Sequence, residues 1–367
     1  MPRAQARTRG SASRSVDEGH YSDPVTRRVR TLIVVGVLFL VAFFVAVLMP
    51  VPYVVLSPGP TVNTLGTDDN DHQIIVLKGR QANATTGHLN LTTVDITTRK
   101  VTAFQALIGW LQHDRVVVPR SAIYPPGQSE KQINEEDTAQ FASSQDNATA
   151  AAFCELGYPR GFGVLNVDAN AGAKDKLKAF DQLVSLDGVP VDTPAELTAE
   201  VSKHKAGDQV TVAFKRLGKP MATTITLSKP DTGETVPRIG ITVGPACFAS
   251  FEVDLGLGDE IGGPSAGLMF ALGIMDKVGT TDLTKGAYVA GTGEIHSDGK
   301  VFPIGGIQLK MIAARRAGAT IFLAPQDNCS DVRGATPKGL DVIKVATLHG
   351  AVQDLLDVQA GKSVAHC

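Results

Sequence analysis

One long run without a polar break precedes a series of short segments in which apolar and polar residues follow regular periods. That run, Leu32–Met49, holds eighteen residues without a charge. As a helix it would be roughly 27 Å long, about the thickness of a hydrocarbon core. After it, alternating segments predict β-strands, and apolar residues spaced three and four positions apart predict helices. The first half is predicted to contain strands Tyr53–Leu56, Gln73–Leu77 and His88–Ile96, and helices Thr102–Gln112 and Asn134–Leu156.

The second half of the chain shows two further patterns. Between Gly161 and Leu227, short strand patterns surround one predicted helix, Pro194–His204, which indicates a small β-rich module. From Pro237 onward strands and helices alternate, which is typical of α/β architecture. The predicted elements of this last part are strand Ile239–Val243, helix Pro264–Met275, strand Tyr288–Gly291, helix Gly306–Ala317, strand Thr320–Leu323, strand Val342–Val345 and helix Leu348–Val358.

Charges around the apolar run predict its orientation in a membrane. Arg27, Arg28 and Arg30 precede it, and no lysine or arginine follows until Lys78. The positive-inside rule then predicts a single-pass cell-membrane protein with a cytoplasmic N-terminus and everything after Pro50 outside. Residues 1–30 are predicted to be a disordered tail and residues 31–50 the anchor. The alternatives are a buried core helix and a cleaved signal peptide, although the run exceeds a usual signal core and no Ala-x-Ala site follows it.

Composition limits the other classes of function. A chain of 367 residues has room for two or three domains, and 43% hydrophobic with 20% charged residues is ordinary for globular proteins. The net charge of −2 provides no basic face, so nucleic-acid binding is not expected. The cysteines have no C-x-x-C spacing, so no metal site is predicted, and no cofactor is expected. They permit disulfides in three connectivities, in one of which Cys329–Cys367 ties down the C-terminal tail.

A serine stands in a glycine-flanked turn that opens an apolar helix, in the segment Gly262-Gly263-Pro264-Ser265-Ala266-Gly267. Pro264 suits the first turn of a helix, because its missing N–H would have no helical partner there. Free backbone N–H groups and the positive end of the helix dipole suit an oxyanion at this place. Gly263 lets a substrate backbone come close. Taken alone, a serine after a proline is most often a helix cap.

A lysine with apolar neighbours follows 45 residues later, at position 310. Ile307 and Met311 share its predicted helical face, and loss of solvation lowers the pKa of a lysine. A neutral amine can take the proton of a serine hydroxyl, which is a poor nucleophile without a base. Thr292, on the preceding strand and turn, is predicted to hold the amine by a hydrogen bond. A lone lysine on a helix is usually a solvated charge, so the prediction depends on the pair.

Several short motifs in order make this region resemble the proteolytic domain of the Lon family. They are Gly-Pro-Ser-Ala-Gly at 263–267, Thr-Gly-Glu-Ile at 292–295, Pro-Ile-Gly-Gly at 303–306, Lys310, Ala313-Ala314, Arg316-Ala317-Gly318 and the strand Ile321–Ala324 before Pro325. The likeness covers roughly Ile239 to Asp331. It implies a peptidase with Ser265 as nucleophile and Lys310 as general base. Gly262 departs from the pattern, because many Lon enzymes carry Asp there.

A weaker likeness to the first strand and helix of the same fold occurs at Gly87–Val94 and Phe141–Gln145. We therefore expect a Lon-type α/β (α+β) domain in two parts, residues 51–159 and 236–360. Residues 160–230 would be a separate domain inserted between them.

This inserted module resembles a bacterial-type PDZ domain in its order of elements. It has Lys178-Ala179-Phe180-Asp181 where such domains usually show Pro-Gly-Asp. The resemblance implies that the strand with Phe162, Gly163 and Val164 accepts an added peptide strand. The alternative is a β-rich spacer without a ligand.

The chain as a whole resembles membrane-bound PDZ–Lon-like proteases of Gram-positive and actinobacterial type. It has no G-x-x-x-x-G-K-[ST] motif, so ATP independence is expected. The prediction is an extracytoplasmic serine endopeptidase that cuts unfolded or exposed segments of proteins, with the PDZ-like module recruiting substrate or regulating the enzyme. Because related Lon domains form rings, the resemblance implies a homo-oligomer, of which a hexamer is one form. The alternatives are a non-catalytic membrane-tethered peptide-binding scaffold and a trypsin-like protease, whose Gly-Asn-Ser-Gly-Gly motif is missing.

Overall fold

The computed structural model describes residues 24–68, 70–97, 99–168, 170–230, 233–256 and 262–367. The first 23 residues of the predicted tail lie outside this range. The helices are α1 (Pro24–Leu48), α2 (Ala103–Leu111), α3 (Arg120–Ile123), α4 (Glu130–Glu155), α5 (Pro194–Val201), α6 (Gly267–Val278), α7 (Ile307–Ala317), α8 (Cys329–Val332) and α9 (Leu348–Gln359), with a 3₁₀ turn at Gln326–Asn328.

The strands in the described part of the chain form two larger sheets and three two-stranded ladders. They are β1 (Pro50–Val51), β2 (Tyr53–Asn63), β3 (Ile75–Lys78), β4 (His88–Ile96), β5 (Val101–Thr102), β6 (Val116–Pro119), β7 (Arg160–Val167), β8 (Gln182–Leu186), β9 (Val189–Pro190), β10 (Gln209–Arg216), β11 (Lys219–Thr226), β12 (Ile241–Cys247), β13 (Glu252–Leu255), β14 (Tyr288–Gly291), β15 (Glu294–Ile295), β16 (Val301–Phe302), β17 (Ile321–Pro325) and β18 (Asp341–Val345).

The N-terminal helix α1 begins at Pro24, earlier than the predicted anchor. Its segment Arg27–Leu48 is 22 residues long, and none of its most apolar stretch is buried in the protein. A helix of this length and composition can cross a bilayer, and a signal sequence has the same properties.

The first large sheet joins strands from distant parts of the sequence in the order β18-β17-β14-β4-β2-β6. Its centre is parallel: Tyr288 of β14 is opposite His88 of β4, and Val289 is opposite Ile321 of β17. The strands β2 and β6 continue it in antiparallel register. Segments before residue 120 and after residue 287 therefore share one hydrogen-bonded sheet.

One hydrophobic core lies beside this sheet around α6, every residue of which is buried. The long helix α4 packs against it, with the ring of Phe141 edge-on to Phe270 at 5.9 Å between centroids. A capping box at Ser129 and Gln132 starts α4, which is why the helix begins four residues before the predicted Asn134.

The second large sheet has the order β11-β10-β8-β7-β12, with β9 attached to β8 and a separate core that includes α5. The strand β12 was predicted as part of the following α/β region. It pairs instead with β7 along its length, from Ile241 opposite Val167 to Cys247 opposite Arg160. Periodicity predicted that this segment is a strand, but it contains no information about a partner so distant in sequence.

Two disulfides fasten elements of the structure. Cys154 at the end of α4 is bonded to Cys247 at the end of β12, and Cys329 of α8 is bonded to Cys367. Of the three connectivities left open by the sequence, the structure has the one that includes Cys329–Cys367.

Candidate active site

Ser265 lies in the turn that leads into α6. The helix begins at Gly267, three residues after the predicted start, so Ser265 precedes the helix and is half-buried. Gly263 has a φ of +80°, a conformation that glycine adopts without strain. Apart from its two chain neighbours, no atom of the described residues lies within 4 Å of a Cβ placed there. Among the described residues, the turn therefore leaves space two positions before the serine.

Lys310 reaches this serine from the end of the first turn of α7. Its Nζ donates a hydrogen bond to Oγ of Ser265 at 2.6 Å, although the side chain of Lys310 is only 4% exposed. Gly306, in the left-handed conformation, starts the helix, and its carbonyl accepts the N–H of Lys310. The structure thus brings the two predicted groups into direct contact in a buried place.

Thr292 completes a hydrogen-bonded triangle between the two residues. Its Oγ1 accepts from Nζ of Lys310 at 3.0 Å and donates to the carbonyl oxygen of Ser265 at 3.0 Å. The N–H of Gly293 donates to the same carbonyl at 2.8 Å. Thr292 is fully buried, so these contacts fix both the amine and the backbone that carries the hydroxyl.

The helix α4 supports the turn from the other side, a contribution that the site prediction did not include. Oγ of Ser144 donates to the carbonyl of Pro264 at 2.8 Å, and the carbonyl of Asp137 accepts the N–H of Gly263 at 3.1 Å. A Cβ at Gly262 would lie 3.0 Å from Cβ of Asp137. The position where many Lon enzymes carry Asp is therefore in contact with an acidic residue of another helix.

Two backbone donors near the serine are left for a substrate. Among the described residues, neither the N–H of Ser265 nor that of Ala266 makes a hydrogen bond. Pro264 has no N–H, and that of Gly263 is taken by Asp137. An oxyanion at this turn would have the N–H groups of residues 265 and 266 available as donors, while the predicted Gly263 and Pro264 would shape the backbone.

Burial determines the charge state of the amine. Removal from water disfavours the ammonium form and lowers the pKa of Lys310 from 10.5 to about 8. Two hydroxyl groups, those of Ser265 and Thr292, are its hydrogen-bond partners. The neutral amine is the form that can act as a general base, and this pKa makes about one tenth of it neutral at pH 7.

The predicted peptide-binding residues lie in a strand with neighbours on both sides. Phe162 and Val164 are buried in the core of the second sheet. Gly163 is opposite Gly244 of β12 on one side and Gln182 of β8 on the other. A peptide strand cannot be added at Phe162–Val164 as the sheet stands, because β8 and β12 already occupy both edges of β7 there. The sheet ends instead at β12, which among the described strands pairs only with β7.

A cavity of about 520 Å³ separates α4 from the second sheet, and Ser265 is not among its lining residues. Asp146 of α4 lines it, and burial raises the pKa of this carboxyl to about 7. The opposite wall includes Lys174, Lys178 and Arg216. The cavity is therefore a cleft between α4 and the second sheet, separate from the turn that carries Ser265.

Two regions of the chain match known domain families. Residues 259–358 match the Lon protease (S16) C-terminal proteolytic domain, and residues 134–227 match the PDZ domain. These matches confirm the predicted resemblance and the mixed α/β fold class with a PDZ-like region and an apolar N-terminal helix. They support a protease.

Individual relatives match over short stretches. The chain is 41% identical over 86 residues to a Lon protease of Roseiflexus castenholzii, covering 23% of this chain and 10% of that protein. It is 28% identical over 178 residues to a Lon protease of Rickettsia bellii, covering 41% of this chain and 23% of that protein. This chain therefore spans less than a quarter of the length of these two relatives.

Among solved structures, the PDZ domain of an SdrC-like protein from Listeria monocytogenes is 30% identical, with a TM-score of 0.21. The likeness covers 23% of this chain and 86% of that one.

Proposed function

We propose that this chain is a membrane-anchored, extracytoplasmic and ATP-independent serine endopeptidase that uses Ser265 and Lys310 on unfolded or exposed protein segments. The observation that carries the proposal is the 2.6 Å hydrogen bond between Nζ of Lys310 and Oγ of Ser265. A scaffold that only binds peptides has no need for a buried lysine held against a serine. The burial lowers the pKa of that lysine, which makes it a competent base.

The chemistry follows from this geometry. The neutral amine of Lys310 takes the hydroxyl proton of Ser265 as Oγ attacks the peptide carbonyl carbon. The N–H groups of Ser265 and Ala266 stabilise the oxyanion that forms. The ammonium of Lys310 then gives its proton to the leaving amine, which leaves an acyl ester on Ser265. Water, deprotonated by the same lysine, hydrolyses that ester and restores the serine.

The location is supported by the helix α1 and by the cysteines. The arginines Arg27, Arg28 and Arg30 lie on the N-terminal side of its apolar run, which favours a cytoplasmic N-terminus. All four cysteines are paired in disulfides, which form in oxidising compartments outside the cytoplasm. Protease added to spheroplasts should therefore degrade the part after residue 50, and complete protection would contradict this topology.

We propose that the PDZ-like region binds extended peptides at the open edge of β12, beside the predicted residues Phe162–Val164. An exposed strand edge offers unpaired N–H and C=O groups to an added strand. Pro245, which lacks an N–H, is compatible with an edge position. The bound segment would be substrate or a regulatory peptide.

In this proposal one Lon-like domain is formed by residues 51–159 and by the part of residues 236–360 that follows β12. The predicted insertion of residues 160–230 is the PDZ-like region, and β12 completes its sheet. The shared sheet and the common core around α6 support this division. By resemblance to Lon domains we also propose a homo-oligomer, with a hexamer as the form to test by light scattering.

The decisive experiment is casein cleavage by the full-length protein in detergent, comparing wild type with Ser265→Ala and Lys310→Met. We expect both variants to lose at least 99% of the activity. Lys277→Met is the matched control, since Lys277 is also buried but bonds to Gln73 and not to the serine. Circular dichroism checks that each variant is folded. Equal turnover by all folded variants would leave the peptide-binding scaffold as the function.

A further inference from the structure

The helix α2 exposes four of its five large apolar side chains and buries Gly109. The exposed fractions are 52% for Phe104, 51% for Leu107, 77% for Trp110 and 64% for Leu111. The helix contains no charged residue. In a soluble protein an apolar stripe with this spacing faces the core, so its exposure marks a surface that contacts something else.

The packing of its inner side prevents α2 from turning to bury this stripe. Gly109 is its buried residue, and a Cβ there would lie 3.1 Å from Val117 and 3.4 Å from Val55. The glycine lets the helix backbone lie directly on β2 and β6. A capping box between Thr102 and Gln105 fixes the first turn. The exposed face is therefore a defined feature of the fold.

This face begins where α1 ends. The N–H of Ala103 donates to the carbonyl of Met49 at 3.1 Å, and Pro50 pairs with Thr102 in the ladder between β1 and β5. If α1 spans the bilayer, its last apolar residues are at the outer boundary of the hydrocarbon core. The first residue of α2 is hydrogen-bonded at that same level.

We propose that α2 lies on the outer leaflet with its apolar face, which we define as Phe104, Leu107, Trp110 and Leu111, between the lipid headgroups and the upper acyl chains. Interfacial helices bury an apolar face to this depth, and tryptophan is enriched at this level. Arg99 and Lys100, which are exposed just before the helix, suit the phosphates of the headgroups. The inference rests on the proposed anchoring by α1 but not on the proposed proteolysis.

The contact would hold the catalytic region at a fixed orientation above the membrane. Beyond the end of α2, Asp114 forms a salt bridge with Arg316 at 2.6 Å. Arg316 belongs to α7, the helix that carries Lys310. The lipid-facing helix and the helix of the proposed base both pack on β2 and share this exposed ion pair, so the contact with lipid would orient the Ser265 site relative to the membrane surface.

A lipid occupant explains the location of this face better than a second copy of the chain. The face is continuous with the end of the membrane helix, so any protein partner would have to compete with lipid for it. The test below distinguishes contact with lipid from coverage of this face by a second copy of the chain.

Trp110 allows a direct test, because it is the only tryptophan of the chain. The full-length protein is reconstituted in vesicles of phosphatidylcholine and phosphatidylglycerol, and flotation confirms its insertion. Lipids brominated at the upper acyl carbons should quench the tryptophan emission by more than half, with a maximum shifted to shorter wavelength. The matched control is Trp110→Phe combined with Met221→Trp, which moves the fluorophore to an exposed position on β11 of the second sheet and should show no quenching.

Three results would overturn the proposal. The first is an unquenched, water-like emission from Trp110 in protein that floats with the vesicles. The second is a shifted emission that brominated lipids do not quench and that depends on protein concentration, which would mean that a second copy covers the face. The folded double variant Leu107→Ser/Leu111→Ser should lose most of the quenching by brominated lipids. Unchanged quenching in this variant is the third result that would overturn the proposal. Protein that does not float with the vesicles would contradict the anchoring by α1 itself. Casein cleavage in detergent should be the same for the Leu107→Ser/Leu111→Ser variant and for wild type.

Discussion

At the scale of single residues, the charge of the Lys310 amine controls the proposed reaction. With a pKa of about 8, about one tenth of the amine is neutral at pH 7 and about nine tenths at pH 9. We therefore predict that kcat/KM for an unstructured peptide rises about tenfold between pH 7 and pH 9 and then levels off. Initial rates measured from pH 6 to pH 9.5 check this.

The control for this profile is Lys310→Arg. A guanidinium stays protonated over the whole range, so this variant should be inactive at every pH. A flat profile in the wild type, or clear activity in the arginine variant, would contradict the role of Lys310 as a base.

The same lysine should reduce the stability of the fold. Its folded pKa of about 8 is below the ordinary 10.5, so the folded state binds fewer protons than the unfolded state between these values. The resulting loss of folding stability is complete below pH 8 and disappears as the pH rises to 10.5. We predict that Lys310→Met raises the free energy of unfolding at pH 7 by about 2 kcal/mol, after about 1 kcal/mol is subtracted for the lost hydrogen bonds.

Urea unfolding at pH 7 and pH 10 measures this difference, which should be clearly smaller at pH 10. A methionine variant less stable than wild type at pH 7 would show that the hydrogen bonds of Lys310 outweigh its desolvation.

The site residues that could be predicted from the sequence are those that stand in short local motifs. Ser265, Thr292 and Lys310 stand in a run of short motifs, and the structure has the Thr292–Lys310 hydrogen bond that the sequence suggested. Ser144 was not predicted as part of the site, because its contact with Pro264 joins residues 120 positions apart. The available signal was its helical spacing: Ser144 shares a face with the buried residues Phe141 and Ala148.

At the scale of elements, α4 holds the serine turn in place. Ser144→Ala removes the hydrogen bond to Pro264 and leaves that carbonyl without this donor, which costs about 1 kcal/mol of stability. Pro264 is followed by Ser265 and Ala266, whose N–H groups are the proposed oxyanion donors. Because the loss of this support would displace those donors, we predict that kcat falls about tenfold while KM changes less than twofold. Steady-state kinetics with a fluorogenic peptide measure both.

The neighbouring Ser143→Ala is the matched control. Ser143 belongs to the same helix, and its side chain makes no hydrogen bond to any described residue, so its removal should change neither constant. If both variants behave like wild type, α4 does not position the turn.

Elements were easier to predict than their surroundings. The spacing of Phe104, Leu107 and Leu111 correctly indicated a helix, but it could not indicate that the apolar stripe faces outward, since that depends on the fit of Gly109 against β2 and β6. In the same way Ile239–Val243 was recognisable as a strand, while its pairing with β7 depends on a register that only the folded sheet defines.

At the scale of the whole molecule, the inserted position of the PDZ-like region determines which fragments can fold. The strand β14 lies between β17 and β4, so a fragment that starts at Pro237 lacks one neighbour of its central strand. It also lacks α4, whose Phe141 packs against Phe270 of the core. We predict that residues 237–367 alone do not fold cooperatively and do not cleave casein.

The complementary fragments locate the boundary of the second sheet. Because β12 closes that sheet beside β7, residues 160–248 with Cys247→Ala should fold, whereas residues 160–236 leave β7 with an unpaired edge and should be less stable by several kcal/mol. Hydrogen exchange and urea unfolding of both fragments measure this difference in stability directly, and both can be compared with the same residues in the full-length protein.

A fragment from Pro237 that folds and cuts casein would show that the Lon-like part is complete without residues 51–159. Equal stability of the two PDZ-like fragments would mean that β12 is dispensable for the sheet whose open edge is proposed to bind peptide.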